Sequence, residues 1–272
     1  MSYWNGKRAL IIGGSAGLGR ALADVLAQHG ARVAIAARRQ QPLDAAAQEL
    51  TARGAQVLGL AADVTKLEDI SRLRAHIQNE WQGIDLLCHC AGRSMRGTVL
   101  ATTAAEFRDL WETNFLSAVQ CVQQFAEPLM ASRGHVVLVG SLASKVAAGY
   151  LGAYPASKFP LAAFAQQLRL ETESSGLHTL LVCPGPITRE NHHESGARYA
   201  SQAPEVPAAA HQPGGGAKVR VINPHWLAGK ILDACEERRA ELVVPKRARL
   251  LFAASQLSPR FGDWLLRRMT SG

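Results

Sequence analysis

Tyr154 and Lys158 stand four residues apart in a stretch of helical period, so both side chains project from one face, one turn apart. A phenol and an ammonium so placed can pass a proton to or from a substrate oxygen. A carbonyl that receives hydride must gain a proton, and a tyrosine of ordinary pKa about 10 supplies it best when shifted toward neutrality. A neighbouring ammonium stabilises the phenolate, and a shift of about three units corresponds to about 4 kcal/mol. The spacing alone proves little, because Tyr3 and Lys7 repeat it ahead of the first strand. Context singles out Tyr154. It follows an apolar run, His135 to Gly140, that delivers Ser141 to the carboxyl edge of a sheet, where Ser141 can hydrogen-bond the carbonyl oxygen.

A second constellation lies near the N-terminus. The run Arg8 to Ile12 passes directly into Gly13-Gly14-Ser15-Ala16-Gly17-Leu18-Gly19, and an amphipathic helix follows. Glycines allow a tight turn and close approach of a pyrophosphate, while a helix start offers free N–H groups and a positive dipole end. The turn from Gly13 through Ser15, Gly17, Leu18 and Gly19 is therefore a dinucleotide seat, spaced Gly-x-x-x-Gly-x-Gly rather than Gly-x-Gly-x-x-Gly. After the next apolar run come Arg38 and Arg39, where an acid would hold the ribose 2′-hydroxyl of NAD. Guanidinium groups there favour a 2′-phosphate, hence NADP(H).

Positioning these groups requires regular elements. Strand-length apolar runs (Arg8 to Ile12, Arg32 to Ala37, Gln56 to Leu60, Ile84 to His89, His135 to Gly140, His178 to Cys183, Glu241 to Val244) alternate with helix-length stretches. The helical stretches are Leu18 to His29, Leu43 to Arg53, Leu67 to Trp81, Ala104 to Ser132, Tyr154 to Ser175 and His225 to Arg238. Crossovers of this length predict an α/β, Rossmann-like, doubly wound sheet of seven parallel strands with helices on both faces, in a single domain over 1–245. The 272 residues, 47% apolar and 19% charged, suit such a domain and exclude a disordered or fibrous chain. There is no run of eighteen apolar residues and no signal-peptide pattern at the start. Five cysteines, an odd number in mostly apolar surroundings, point to a reducing, cytoplasmic setting, and Cys88-x-Cys90 lacks a second pair at zinc spacing, so no metal is expected.

Taken together, the ordered motifs resemble the short-chain dehydrogenase/reductase family over nearly the whole chain to about Val244. They are the glycine turn Gly13 to Gly19, Asp63-Val64, Ala91-Gly92, Asn114, Ser141, the block Tyr154-Pro-Ala-Ser-Lys158, and Pro184-Gly185. The resemblance implies that Tyr154 is the acid in reduction and the base in oxidation. It implies that Lys158 binds the nicotinamide ribose and lowers the tyrosine pKa, and that Ser141 positions substrate. Asn114 would bend its helix and help hold a water in the proton relay. Asp63, with Val64 beside it, would touch the adenine, Ala91 and Gly92 would line the cofactor, and Ile187, beyond Pro184 and Gly185, would lie near the carboxamide. Hydride would pass directly to or from the substrate carbon without a metal.

Several positions depart from the family pattern. Ile12 replaces the usual Thr before the glycine turn, and His89-Cys90-Ala91-Gly92 replaces Asn-Asn-Ala-Gly. Pro160 removes an N–H from the catalytic helix and is expected to bend it. Arg189 stands where a Thr is common, with Thr188 one place earlier. The His89-Cys90 pair and Pro160 are the only hints of a rival reading, a non-catalytic NADP(H)-binding redox sensor or scaffold subunit. An epimerase or dehydratase would carry a larger substrate domain.

Substrate choice should lie in a mobile loop, 189–223, and in Ser94, Met95, Leu142, Gly149, Tyr150 and Leu151, whose mostly apolar character suggests a bulky or lipid-like carbonyl compound. His192 and His193 read as solvated loop residues. The extension 246–272 carries six basic residues against one acid and an amphipathic Leu/Phe/Trp pattern broken at Pro259. It admits three readings: a flap over the substrate entrance, a dimer contact, or an in-plane helix giving peripheral contact with an anionic membrane. The resemblance implies a homodimer or homotetramer, and the charge pattern gives no case for nucleic acid as a partner.

Overall fold

The computed structural model describes residues 2–188, 199, 201, 203–216 and 219–270. Seven strands form one sheet: β1 Arg8–Ile12, β2 Arg32–Ala37, β3 Val57–Ala61, β4 Leu86–His89, β5 His135–Val139, β6 His178–Pro184 and β7 Glu241–Val244. Their order is β3-β2-β1-β4-β5-β6-β7, and every pairing is parallel. The order reverses at β1, which pairs with both β2 and β4, and all carboxyl ends reach one edge. That edge is where such sheets bind ligands.

Side chains alternate across the sheet with period two. Leu10, Ile12, Val136 and Leu138 enter one core with helices α3 (Leu67–Trp81), α5 (Ser117–Ala131) and α6 (Tyr154–Thr172). Ala9, Ile11, Val137 and Val182 enter the other, with α1 (Gly17–Gln28), α2 (Gln40–Ala52) and α7 (Pro224–Glu236). Being buried on both faces explains why the strands read as continuous apolar runs.

Most expected elements form, with shifted ends. The stretch 104–132 does not run as one α-helix: α4 (Ala104–Trp111) passes through a π turn at Glu112–Leu116 before α5 begins. A buried asparagine in that turn makes its hydrogen bonds away from the helix axis, as described below. Pro160 does not interrupt α6, which is helical throughout Tyr154–Thr172. Of the insertion expected at 189–223, the described part holds two short 3-10 turns, Ala208–His211 and Pro213–Gly215. Its flanks are stitched together, with the Thr188 N–H donating to the Ile222 carbonyl at 2.9 Å and Ile187 bridging Ile222. The extension forms α8 (Ala248–Leu257) and α9 (Pro259–Thr270), with Ala248 and Phe252 completing the first core rather than standing apart from it.

The opposite edge of the sheet is closed by a directed hydrogen-bond chain. His178 Nε2 lies 2.8 Å from the Arg239 carbonyl, which can only accept, so this nitrogen carries the proton and Nδ1 accepts. His135 Nδ1, 2.9 Å away, then donates to His178 Nδ1, and His135 Nε2 accepts from the Tyr3 hydroxyl at 2.7 Å. Both rings are neutral by this accounting. Burial, followed by the neighbouring ring and cations, pushes the His135 pKa down to about 3, and burial lowers that of His178. At the other end of the sheet burial, then the charge of Lys158, holds His89 at about 3 against an ordinary 6.5.

These neutral histidines make the fold acid-sensitive. Below about 6.5 an unfolded histidine takes up a proton that the folded one refuses, so stability is complete above that pH and declines as pH falls toward 3. His89 alone should remove about 2 kcal/mol between pH 7.5 and pH 5.0. Urea denaturation at the two pH values checks this, and a His135→Gln/His178→Gln protein should show a shallower acid decline.

Candidate active site

The glycine turn forms where β1 stops. Gly13 and Gly14 N–H groups both reach the Ala36 carbonyl, at 2.8 and 3.3 Å, so the turn is tied to β2 despite Ile12 in place of Thr. Gly13 has φ +81°, and a Cβ on Gly19 would sit 2.2 Å from the Gly13 carbonyl oxygen, so only glycine lets the turn close on the helix start. Ala16, which precedes α1, offers no side-chain cap, and the first turn contains no acid. Gly17 faces open space. A small, uncapped helix start of this shape fits a diphosphate. Ser15 is half-buried beside it, whereas the Leu18 side chain is in the core, leaving its backbone for the turn.

Arg38 and Arg39 are exposed just past β2, with Arg39 leading into α2. Asp63 follows β3. Its carboxylate accepts from the Thr65 N–H and hydroxyl at 3.1 and 2.8 Å, while its own N–H donates to Asp69. Val64 is buried in the first core. After β4, the Cys90 N–H donates to the Ile12 carbonyl at 2.9 Å, bringing Ala91 and Gly92 beside the glycine turn. Pro184 ends β6, the Gly185 N–H reaches the Val244 carbonyl at 2.7 Å, and Ile187 is half-buried at the same edge.

Ser141 stands two residues past β5 with extended backbone, and its Oγ accepts from the Ala143 N–H at 3.1 Å, which leaves its own proton to donate. A short 3-10 turn at Leu142–Ser144 follows, and the chain returns to start α6 at Tyr154. Tyr154 is half-buried. Lys158, one turn on, is only 5% exposed, and its Nζ donates to the Val139 carbonyl at 3.0 Å. That contact draws the ammonium to the end of β5, beside Ser141. Burial pulls the Lys158 pKa from 10.5 down to about 8, so it stays largely charged at neutral pH.

Asn114, in the π turn, is fully buried. Its Oδ1 accepts from the Arg93 N–H at 2.8 Å, and its Nδ2 donates to the Arg93 carbonyl at 2.9 Å and to Ser157 Oγ at 2.8 Å. Ser157 in turn donates to the Tyr154 carbonyl at 2.7 Å. The side chain thus braces the first turn of α6 against the loop after β4. A Cβ on Gly92 would lie 2.9 Å from Asn114 Oδ1 and 3.2 Å from Lys158 Nζ, so glycine is what permits this approach.

The unusual His89-Cys90 pair is built into the same framework. His89 Nε2 lies 3.1 Å from Ser117 Oγ, which donates to the Thr113 carbonyl within the π turn. Burial pushes the Cys90 thiol up to about 12, so it stays protonated. Among the described residues, the one group with ligand atoms close enough for a metal is His135, His178 and Cys235, at the far edge of the sheet.

Around the mouth, Ser94, Met95 and Leu142 are half-buried, Leu151 is buried, and Gly149 and Tyr150 are exposed. Sequence reasoning missed Arg96. It is buried, donates to the carbonyls of Met95 and Gln212 at 2.8 and 3.1 Å, contacts the Ala210 carbonyl, and lies 4.3 Å from the Tyr199 ring centroid. It therefore pins the described part of the insertion to the loop after β4. Nothing in local composition marks an arginine for that burial. Arg189, His192 and His193 lie outside the described residues.

The bracing by Asn114 has a measurable cost of removal. Asn114→Leu keeps the side chain's branching but leaves the Arg93 backbone groups and Ser157 without that partner, and should lower stability by about 2–4 kcal/mol in urea denaturation. Turnover should fall further than the fraction unfolded accounts for.

Comparison with known proteins agrees with this geometry. The family model described as short chain dehydrogenase matches residues 7–200. Ketoacyl reductase HetN of Nostoc sp. is 26% identical over 274 residues, covering 98% of this chain and 90% of that protein. The 3-oxoacyl-[acyl-carrier-protein] reductase FabG of Escherichia coli is 30% identical over 206 residues, covering 74% and 83%. Glycine betaine reductase ATRR of Emericella nidulans is 36% identical over 186 residues, and the chain spans only 14% of that protein's length. Among solved structures, L-sorbose reductase from Gluconobacter frateurii, complexed with NADPH and L-sorbose, superposes with TM-score 0.78 at 23% identity, covering 88% of this chain and 95% of that one. A short-chain dehydrogenase from Streptomyces avermitilis gives 0.79 at 24%, covering 97% of each, and at these identities the likeness is one of fold. The chain belongs to the short-chain dehydrogenase family, as an oxidoreductase of the class that interconverts carbonyl and alcohol carbons with a nicotinamide cofactor.

Proposed function

We propose that this chain is an NADP(H)-dependent carbonyl reductase or alcohol dehydrogenase for a bulky apolar or lipid-like substrate, with Tyr154 as its proton donor and acceptor. The observation that carries this reading is the Lys158 ammonium, buried and tied to the Val139 carbonyl one helical turn from Tyr154 and beside Ser141. Reduction runs as follows in terms of this chain's groups. Ser141 Oγ–H and the Tyr154 hydroxyl hold the carbonyl oxygen. The bound nicotinamide supplies the hydride. Tyr154 gives its proton to that oxygen, and the charge of Lys158 stabilises the phenolate left behind. In oxidation the same phenolate removes the alcohol proton.

Arg38 and Arg39 support the choice of NADP(H): exposed beyond β2, they can offer paired, charge-assisted hydrogen bonds to a 2′-phosphate. Half-buried Met95 and Leu142 and buried Leu151 support an apolar substrate, as do the ketoacyl and oxoacyl compounds in the names of two relatives. Trp111, Leu116, Phe159 and Leu170, exposed on α4, the π turn and α6, suit a helix-on-helix contact with a second copy.

Tyr154→Phe should cut NADPH-dependent turnover of a ketone panel by at least about a hundredfold while leaving NADPH affinity nearly unchanged. Retained turnover would remove Tyr154 from its role. Separately, Arg38→Ala/Arg39→Ala should shift the ratio of NADPH to NADH affinity by about tenfold or more toward NADH. Titration by nucleotide fluorescence measures this, and a wild-type preference for NADH would overturn the cofactor assignment.

A further inference from the structure

The last two helices leave an apolar surface uncovered. In α8, Ala248 and Phe252 face the core, while Leu250 and Leu257, seven residues apart and so on one face, are 76% and 87% exposed. In α9, Gly262 packs so closely on α8 that an added Cβ would lie 2.6 Å from Ser255 Cα, and Leu266 packs against the core. The other side of α9 carries Phe261 and Trp264, both exposed, with rings stacked at 5.7 Å. The Arg268 guanidinium covers the Trp264 ring at 4.3 Å. Each helix thus has two apolar stripes, one used by the core and one turned outward.

Charge decides what fits the outward stripes. From Lys246 onward there are six basic residues and one acid, Asp263. A two-fold contact between copies through this face would bring the two basic sets together, which like charges oppose. A surface that is anionic outside and apolar just beneath satisfies both the arginines and the Leu, Phe and Trp side chains. We propose that α8 and α9 dock the protein on anionic phospholipid bilayers, with Leu250, Leu257, Phe261 and Trp264 entering the interface and Arg247, Arg260 and Arg267 meeting lipid phosphates. The two helices follow the carboxyl edge of the sheet: β7 ends at Val244, whose carbonyl holds Gly185, and α8 begins four residues later. Docking would hold the site's rim near an apolar substrate dissolved in the bilayer, although the docking itself does not depend on which substrate is turned over.

The full chain should be sedimented with phosphatidylcholine vesicles with and without phosphatidylglycerol. Binding is expected to the anionic vesicles and to weaken with salt. Leu257→Gln/Phe261→Gln/Trp264→Gln and Arg260→Gln/Arg267→Gln should each weaken it by about tenfold or more. Both proteins should keep the wild-type melting temperature and turnover of a small water-soluble ketone. Absence of binding to anionic vesicles, or binding by either variant as tight as that of the wild type, overturns the proposal. So does a wild type that ignores vesicles while the apolar variant changes its oligomeric state, which would assign the face to a second copy.

Discussion

A charged amine buried at the end of a β-strand is costly unless something holds it, and the carbonyl of Val139 is what holds Lys158. That carbonyl belongs to the last residue of β5, and the Gly140 N–H that follows it continues the ladder to the Val182 carbonyl at 2.8 Å. The contact does two things at once. It registers α6 against the sheet, which sets where Tyr154 begins the helix, and it keeps the ammonium from moving to solvent. The depressed pKa of Lys158 measures the tension in this arrangement: burial disfavours the charge, yet the value of about 8 leaves it in place at neutral pH.

Around that contact the neighbouring departures from regular structure become intelligible. The π turn widens the helix by one residue and lets Asn114 face away from its own helix, toward the Arg93 backbone and Ser157. His89 and Ser117 secure the same turn from the β4 side. The site is therefore held by β5, α6 and the α4–α5 pair, through hydrogen bonds that are buried or part-buried. Such a network is valuable only when every member is satisfied.

The two edges of the sheet divide the work. At the carboxyl edge polar groups remain available for ligand, as at Ser141 and the uncapped start of α1. At the amino edge Tyr3, His135, His178 and the Arg239 carbonyl saturate one another in a single direction, and Asp85 binds the Arg8 backbone and guanidinium at 2.9 and 2.8 Å. Burial pushes the Asp85 carboxyl up, but its bonds to Arg8 and the charge of Lys7 outweigh this and hold it below the ordinary range. One edge is closed chemistry and the other open, which is how a fixed scaffold supports a reaction at one end.

Much of this protein was legible in its residues. Seven apolar runs separated by helix-length crossovers leave little choice but a parallel sheet, because period and spacing are local properties of the chain. The glycine turn was legible for the same reason, whereas the Tyr154–Lys158 spacing, which Tyr3 and Lys7 repeat, stood out only through its place after the strand that leads to Ser141. What no local pattern could indicate were contacts closed across the fold. The π turn arises because Asn114 finds Arg93 and Ser157, twenty-one and forty-three residues away, and the burial of Arg96 depends on carbonyls more than a hundred residues away. Pro160 lies inside α6 without ending it. Residue type and spacing determined the elements and singled out the candidate site residues, whereas the partners of buried polar atoms were decided by the tertiary structure, because a buried donor must bond to whatever acceptor the packed chain brings within reach.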